Sequence, residues 1–429
     1  MEMGRNKFID YWACIYIFTV IMISLVTSSF NVAIFLIYFV MALPFVNSIE
    51  HYCAISLMLS TISYYFVGAY EEVYSIYTIL IVLAIFRALF FNKGKIKVAR
   101  NSLLLLLPMC ILAVVSYSMS PFNYSRGLFR LLYLLVICII IGYFTRLRLT
   151  KLCRIIPQLA EVMVIGYIIS VLVSGSYVDG RLTIANDINT NTFGMSCAQL
   201  SCILLISFVI NDKKKKIKLI LSIVVAGLAF LSGSRGALLA FILASAIVII
   251  IYAKKEGRLI GAMFKMAIFE VVLLGAAYII IIFTGLDTSR FSFTEVVASG
   301  GSRRGLIYST LIPYIIQNGY WKFGYGPGHD CSRQVILSLI HWDYTHSHNT
   351  FLESFGELGI GGLLILIICI IAGIKNLYTI SKKYKEAYLL MAMLLCLLIN
   401  GMAESYFFDA ILWLLLAICC NNFVEKRGE

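Results

Sequence analysis

The sequence predicts an all-α integral membrane protein with twelve to fourteen transmembrane helices, and three observations predict it. Of the 429 residues 61% are hydrophobic and only 13% are charged, which excludes a soluble domain. About fourteen apolar stretches, most of them near the ~20 residues that cross a bilayer, alternate with polar loops. The basic residues occupy every second loop, as positive charge does on the cytoplasmic side of a membrane. The chain is read as one polytopic domain over 1–429, with both termini in the cytoplasm and the cytoplasmic membrane as its location.

The elements follow in order. Arg5 and Lys7 precede a first span at about 9–28, too long and too poor in small residues at its end for a cleaved signal, and so expected to be a signal anchor. Spans at about 30–49, 52–70 and 73–91 follow, with Glu50 and His51 in a turn that breaks the basic pattern. Lys93 to Arg100 return the chain inside before spans at about 101–119 and 127–145. Arg146 to Arg154 precede the span at about 155–174, and Lys213 to Lys218 close the one at about 192–211. The stretches at about 217–232 and 387–401 are short, which is why twelve spans remains an alternative to fourteen. Spans at about 235–253 and 264–284 flank Lys254 to Lys265, and a loop over 285–349 leads to spans at about 350–373 and 404–422. The net charge of +13 then reflects orientation and contact with anionic membrane lipids, with no call for a nucleic-acid partner.

Lysine and arginine are sorted unequally between the two faces. The inside loops hold 18 lysines and 7 arginines; the outside holds only Lys322 beside Arg126, Arg130, Arg181, Arg235, Arg290, Arg303, Arg304 and Arg333. Arginine grips phosphate with a planar two-pronged fork and stays charged. The outer face therefore reads as a site for a phosphorylated, lipid-linked substrate. Inside the spans only Arg87, Glu161 and Glu270 stand out, too few for a charge-lined transport path, so chemistry is expected at the outer interface.

The loop 285–349 is long enough to be functional rather than connecting. It carries Tyr314, Tyr320, Trp321, Tyr325, Trp342 and Tyr344, able to stack on sugars or to form an interfacial belt, and a helical apolar pattern over Gly305–Gln317. It also holds His329, His341, His346 and His348, four of the five histidines. Their spacing, with Asp343 or Cys331 nearby, is poor for zinc, so no metal ligand is assigned. A general base is the better reading, because imidazole titrates near neutrality. His348 precedes a helix for which Thr350 and Glu353 are spaced as a capping box, and that helix start is expected to keep the ring neutral. Leu231-Ser-Gly-Ser-Arg-Gly236 opens another helix with exposed amides and a fixed cation, an anion-binding arrangement, and Ser299-Gly-Gly-Ser-Arg-Arg-Gly305 repeats it. The twelve cysteines are scattered without a CxxC pair and read as packing residues.

His346-Ser-His-Asn-Thr-Phe-Leu352, Glu357-Leu-Gly-Ile-Gly-Gly362 and Ser232-Gly-Ser-Arg-Gly236 resemble the signature of the O-antigen polymerase and ligase family. The order Arg304, Tyr308, Pro313, Gly324-Tyr-Gly-Pro-Gly328 is similar too, as are Asn186-Asp-Ile-Asn189 and Glu404-Ser-Tyr-Phe407; Tyr308 stands where tryptophan is commoner. The resemblance spans about 185–410. It implies a GT-C-type helical glycosyltransferase whose donor is a glycan on undecaprenyl pyrophosphate, working without a nucleotide sugar, cofactor or metal. It also implies that Arg235 and Arg304 bind the donor pyrophosphate and that His348 activates the acceptor hydroxyl. Arg303, Arg290, His346, Asn349 and Glu357 are the accompanying candidates for substrate contact. The first reading is a polysaccharide polymerase that builds capsule, exopolysaccharide or O-antigen, with the pathway's flippase and chain-length regulator as candidate partners. A ligase transferring finished glycan to lipid A core is the runner-up, and a lipid-linked oligosaccharide flippase is the alternative of another class.

Overall fold

The structure is a computed structural model, and it describes residues 2–26, 32–60, 80, 83, 86, 102–122, 124–178, 180–184, 189–211, 216–261, 263, 266, 275, 304–341 and 346–423. The described residues form α1 (Glu2–Val26), α2 (Val32–Ala42), α3 (Ile49–Leu59), α4 (Leu106–Met119), α5 (Ser125–Phe144), α6 (Leu149–Ser174), β1 (Ser176–Val178), β2 (Arg181–Thr183), α7 (Thr190–Ile210), α8 (Lys216–Leu231), α9 (Arg235–Lys255), α10 (Arg304–Gln317), α11 (His329–Ile340), α12 (Thr350–Ser381), α13 (Ala387–Asn400) and α14 (Ala410–Cys419). Among the described residues six helices are long and apolar enough to cross a membrane: Lys7–Val26, Ser125–Gly142, Leu149–Ser174, Thr190–Ile210, Arg235–Lys255 and Thr350–Ser381. Helices α7, α13 and α14 bury nearly every residue and form the centre. Exposed Leu239, Leu243, Ile247, Leu364, Ile368 and Ile371 on α9 and α12 face outward, as lipid-facing positions do. The expected spans at 73–91 and 264–284, with Arg87 and Glu270, lie outside the described residues except for positions 80, 83, 86, 266 and 275.

Two ends of the bundle gather the two sets of loops. At one end Asp10 meets His51 (2.9 Å) and Arg154 (3.1 Å), and Glu50 meets Arg148 (3.0 Å). Asn421 accepts from Leu147 N (3.2 Å), and Lys255 donates to Ser381 O (2.7 Å). The turn at 47–51, silent in charge, thus joins the basic loops by pairing with them. At the other end lie 116–130, the β1–β2 hairpin, 232–236, α10, α11, 346–350 and 401–409.

Three boundaries differ from the sequence reading. The helix expected at 404–422 starts at Ala410, and 401–409 is an irregular segment, because Thr350 and Tyr308 hold its backbone away from helical pairing (Thr350 N to Gly401 O, 2.8 Å; Tyr308 Oη to Met402 O, 3.3 Å). The cap of α12 is Asn349, whose Oδ1 accepts from Phe351 N and Leu352 N (both 3.0 Å), not Thr350. Finally, α12 is broken at Gly359 (φ 71°, ψ −168°).

A break inside a membrane helix frees backbone groups that lipid cannot satisfy. Here the glycine-rich turn repairs them. Tyr325 N donates to Gly356 O (2.8 Å), Ile360 N donates to Trp321 O (2.8 Å), and Ser116 Oγ donates to Glu357 O. Close approach requires glycine: a Cβ on Gly324 (φ 84°) would lie 1.9 Å from Glu357 O. The run Phe323–Gly328 is therefore a plug seated in the break of α12, and it fixes the first turns of that helix, where the site lies.

Candidate functional site

The site forms where the start of α12 meets the 401–409 segment. Asn349 caps the helix and donates through Nδ2 to Met402 O (3.2 Å). Thr350 Oγ1 donates to Glu404 O (3.1 Å) and accepts from Tyr406 N (3.0 Å). Tyr308, on the second turn of α10, donates to His348 O (3.0 Å). These contacts hold His348 at a positive φ (54°), uncommon for a residue with a side chain.

Glu404 is the hub. Its Oε1 faces His346 Nε2 (2.7 Å) and His348 Nδ1 (3.0 Å), and its Oε2 lies 3.5 Å from an Arg304 guanidinium nitrogen. The two imidazole rings lie 4.4 Å apart, and His329, at the start of α11, lies 5.5 Å from His346. Burial raises the cost of charge on Glu404, yet hydrogen bonds from His346 and His348 outweigh it and keep the carboxylate well below its usual range. The rings part company. Burial disfavours charge on His346, but the hydrogen bond to Glu404 and the nearby carboxylates of Glu353 and Asp409 win, and its pKa rises. His348 is lowered, chiefly by burial, with the charges of His346 and Arg304 adding to it and Glu404 offsetting part. The shift has the direction expected of His348, but its first cause is burial rather than the start of the helix. With Nδ1–H turned to Glu404, neutral His348 carries its lone pair on Nε2, and its orientation is fixed as in other carboxylate–histidine pairs.

Arg235 opens α9 beside the same segment: a Cβ on Gly236 would lie 3.0 Å from Asn400 Oδ1 and 3.3 Å from Ala403 Cβ. The turn before it is held by Arg181, whose Nε donates to Ser232 O (2.8 Å) and whose terminal nitrogen donates to Asn191 Oδ1 (2.6 Å). Arg304, His346, His348 and Asn349 are thus brought together, and the start of α9 joins them. Arg290 and Arg303 lie outside the described residues. Glu357 is fully buried behind the site, where Oε1 accepts from Ser332 Oγ (2.8 Å) and Oε2 from Gly328 N (3.0 Å); it ties the plug to α12. His341, exposed at the end of α11, plays no part. Sequence reasoning missed the role of Glu404, although the stretch Glu404–Phe407 had drawn notice; a carboxylate between the apolar stretches 387–401 and 410–419 was the available signal.

His346, His348 and Glu404 could also take a divalent cation, since their donor atoms lie within 4.8 Å of one another and two imidazoles with a carboxylate form a known zinc set. A cation would have to displace the hydrogen bonds that now join the three, and it would meet Arg304 at the same carboxylate. Replacing Glu404 by glutamine separates these effects. His346 loses the anion that raises it and His348 loses the one that offsets its burial, so both rings titrate lower than in the parent. Ring-carbon NMR of labelled histidine reads this directly, and unchanged titration of both rings would contradict the hub.

Residues 219–367 match the Wzy_C family model, described as O-Antigen ligase. The match runs from α8 into α12 and takes in Arg235, Arg304, His346, His348 and Asn349, while Glu404 lies beyond it. No curated protein matches the chain. The match supports, over that stretch, the resemblance to the O-antigen polymerase and ligase family, and the long apolar helices among the described residues are those of a predominantly helical, multi-pass membrane protein.

Proposed function

From that family match we propose that the chain is a polysaccharide polymerase. It takes a glycan from undecaprenyl pyrophosphate and adds it to a lipid-linked repeat unit at the outer face of the cytoplasmic membrane, with both termini in the cytoplasm. The observation that carries this reading is the convergence on Glu404 of two histidines and Arg304, within reach of the helix that Arg235 opens.

The acceptor hydroxyl oxygen attacks the anomeric carbon while the bond from that carbon to the pyrophosphate oxygen breaks. The hydroxyl proton passes to His348 Nε2, and the lipid pyrophosphate leaves with the bonding electron pair. Attack from the far side inverts the anomeric centre. Arg235 and Arg304 meet the charge that develops on the leaving group, which preorganised cations stabilise best in a water-poor site, and Arg303 and Arg290 are candidates by sequence for the same role. His346, whose pKa the hydrogen bond to Glu404 raises against its burial, adds positive charge beside them. This division needs no metal, so chelators leave transfer intact. Transfer to lipid A core uses the same donor chemistry, so the acceptor decides between polymerase and ligase. A flippase fits less well, since the charges here cluster where loops meet rather than at mid-membrane depth.

The test is the state of the lipid carrier in cells whose copy is inactivated. A lost polymerase leaves single repeat units on the carrier at the outer leaflet. Long chains on the carrier instead indicate a ligase, and units trapped at the inner leaflet indicate a flippase; either result overturns the proposal.

A further inference from the structure

Helix α10 has two apolar faces. Ile307, Leu311 and Ile315, one helical turn apart, are fully buried against α11 and the plug. On the opposite side Leu306, Ile312 and Ile316 are 44%, 40% and 54% exposed, and only Ser309 interrupts the row. After Arg304 the helix carries no charge at all. A helix apolar on both sides does not stand in water, so something covers the outer row.

The two ends of the row say what. Its first residue is two positions from Arg304, whose guanidinium reaches Glu404 in the site. Beyond its last lies Trp321, 42% exposed with Lys322 Nζ 5.6 Å over its ring, the aromatic-and-lysine pairing of a membrane boundary. Trp321 O accepts from Ile360 N (2.8 Å), and Ile360 heads the outward row Leu364, Ile368 and Ile371 of α12. The row on α10, broken by Ser309 and followed by exposed Gln317 and Asn318 before Trp321, therefore runs from the charged site toward the hydrocarbon-facing surface. From Leu306 to Ile316 it measures about 15 Å at the helical rise.

We propose that this face of α10 is the track for the isoprenoid chain of a polyprenyl pyrophosphate donor. The inference rests on the transfer reading above and extends it. The pyrophosphate sits beside Arg304, and the chain leaves along Leu306, Ile312 and Ile316 to enter the bilayer past Trp321. A bilayer contact alone accounts for the apolar row but not for its starting beside the cationic end of the site.

The test uses the full chain in lipid nanodiscs with two donors that carry the same glycan pyrophosphate, one on a long polyprenyl chain and one on a geranyl-length chain. Changing Ile312→Asn together with Ile316→Asn, both at exposed positions, raises KM for the long-chain donor about tenfold or more and leaves kcat and KM for the short one unchanged. A photoreactive isoprenoid pyrophosphate labels α10 in the parent and not in the double variant. Equal effects on both donors, no effect on either, or labelling of α10 by a photoreactive phospholipid that the long-chain donor does not displace would overturn the track. If the parent turns over neither donor, the transfer reading fails, while the label on α10 still decides the track.

Discussion

Changing His348→Asn lowers glycan transfer ~100–10,000-fold, the range a positioned general base supplies. Asparagine is the informative replacement. His348 sits at φ 54°, where alanine adds backbone strain but asparagine is tolerated. The variant therefore keeps the turn into α12, whose cap is Asn349 and whose contact with Tyr308 runs through the main-chain carbonyl of residue 348. An unchanged melting temperature in detergent with transfer lost separates base from scaffold. The parent's pH profile gives a second reading. His348 is a base only when neutral, and its folded pKa lies below the ordinary imidazole value of about 6.5. Activity is therefore fully present at neutral pH and falls as pH drops through that lowered value, on the acid side of a free imidazole. In His348→Asn the residual rate loses this acid limb. A variant with normal transfer, or one whose acid limb persists unchanged, removes His348 from the chemistry.

The bundle was legible because lipid imposes strong rules on sequence: apolar runs of fixed length and a charge bias on every second loop mark spans whatever the detailed packing. The site was legible in part. His348, Arg304 and Arg235 carry residue types suited to few structural tasks at a membrane surface. Glu404 was not placed because its partners lie 56 to 100 residues away, and spacing does not encode contacts that only folding creates. The cap of α12 was misplaced by one residue because Asn349 and Thr350 are both capping types, and only the Asn349 side chain turns back onto the helix. The start of the last helix was set too early because Tyr406, Phe407 and Phe408 continue the apolar run; they are buried in an irregular segment instead. The break at Gly359 was not placed because Gly356, Gly359, Gly361 and Gly362 crowd one stretch and nothing local singles out one of them; it falls where the plug supplies the missing hydrogen bonds.

Arg304→Ala lowers kcat ~100–1,000-fold, the cost of removing one preorganised donor from a developing anion. Among the described residues the Arg304 guanidinium pairs with Glu404, at a long 3.5 Å, while Glu404 keeps the shorter bonds from His346 and His348. Its removal thus leaves the histidine pair assembled, and folding is not what fails. Lysine does not restore the rate, because a point charge cannot grip two phosphate oxygens at once. The loss falls on kcat more than on KM if Arg304 meets charge that appears only as the glycosidic bond breaks. It is accompanied by weaker inhibition by inorganic pyrophosphate, a ligand that no merely structural arginine would sense. Pairing the change with His348→Asn gives less than the sum of the two losses, since the base's advantage depends on a leaving group that departs with its charge met. Full additivity, or pyrophosphate inhibition equal to the parent's, would place Arg304 outside the donor site and leave Glu404 with two histidines and no anion to serve.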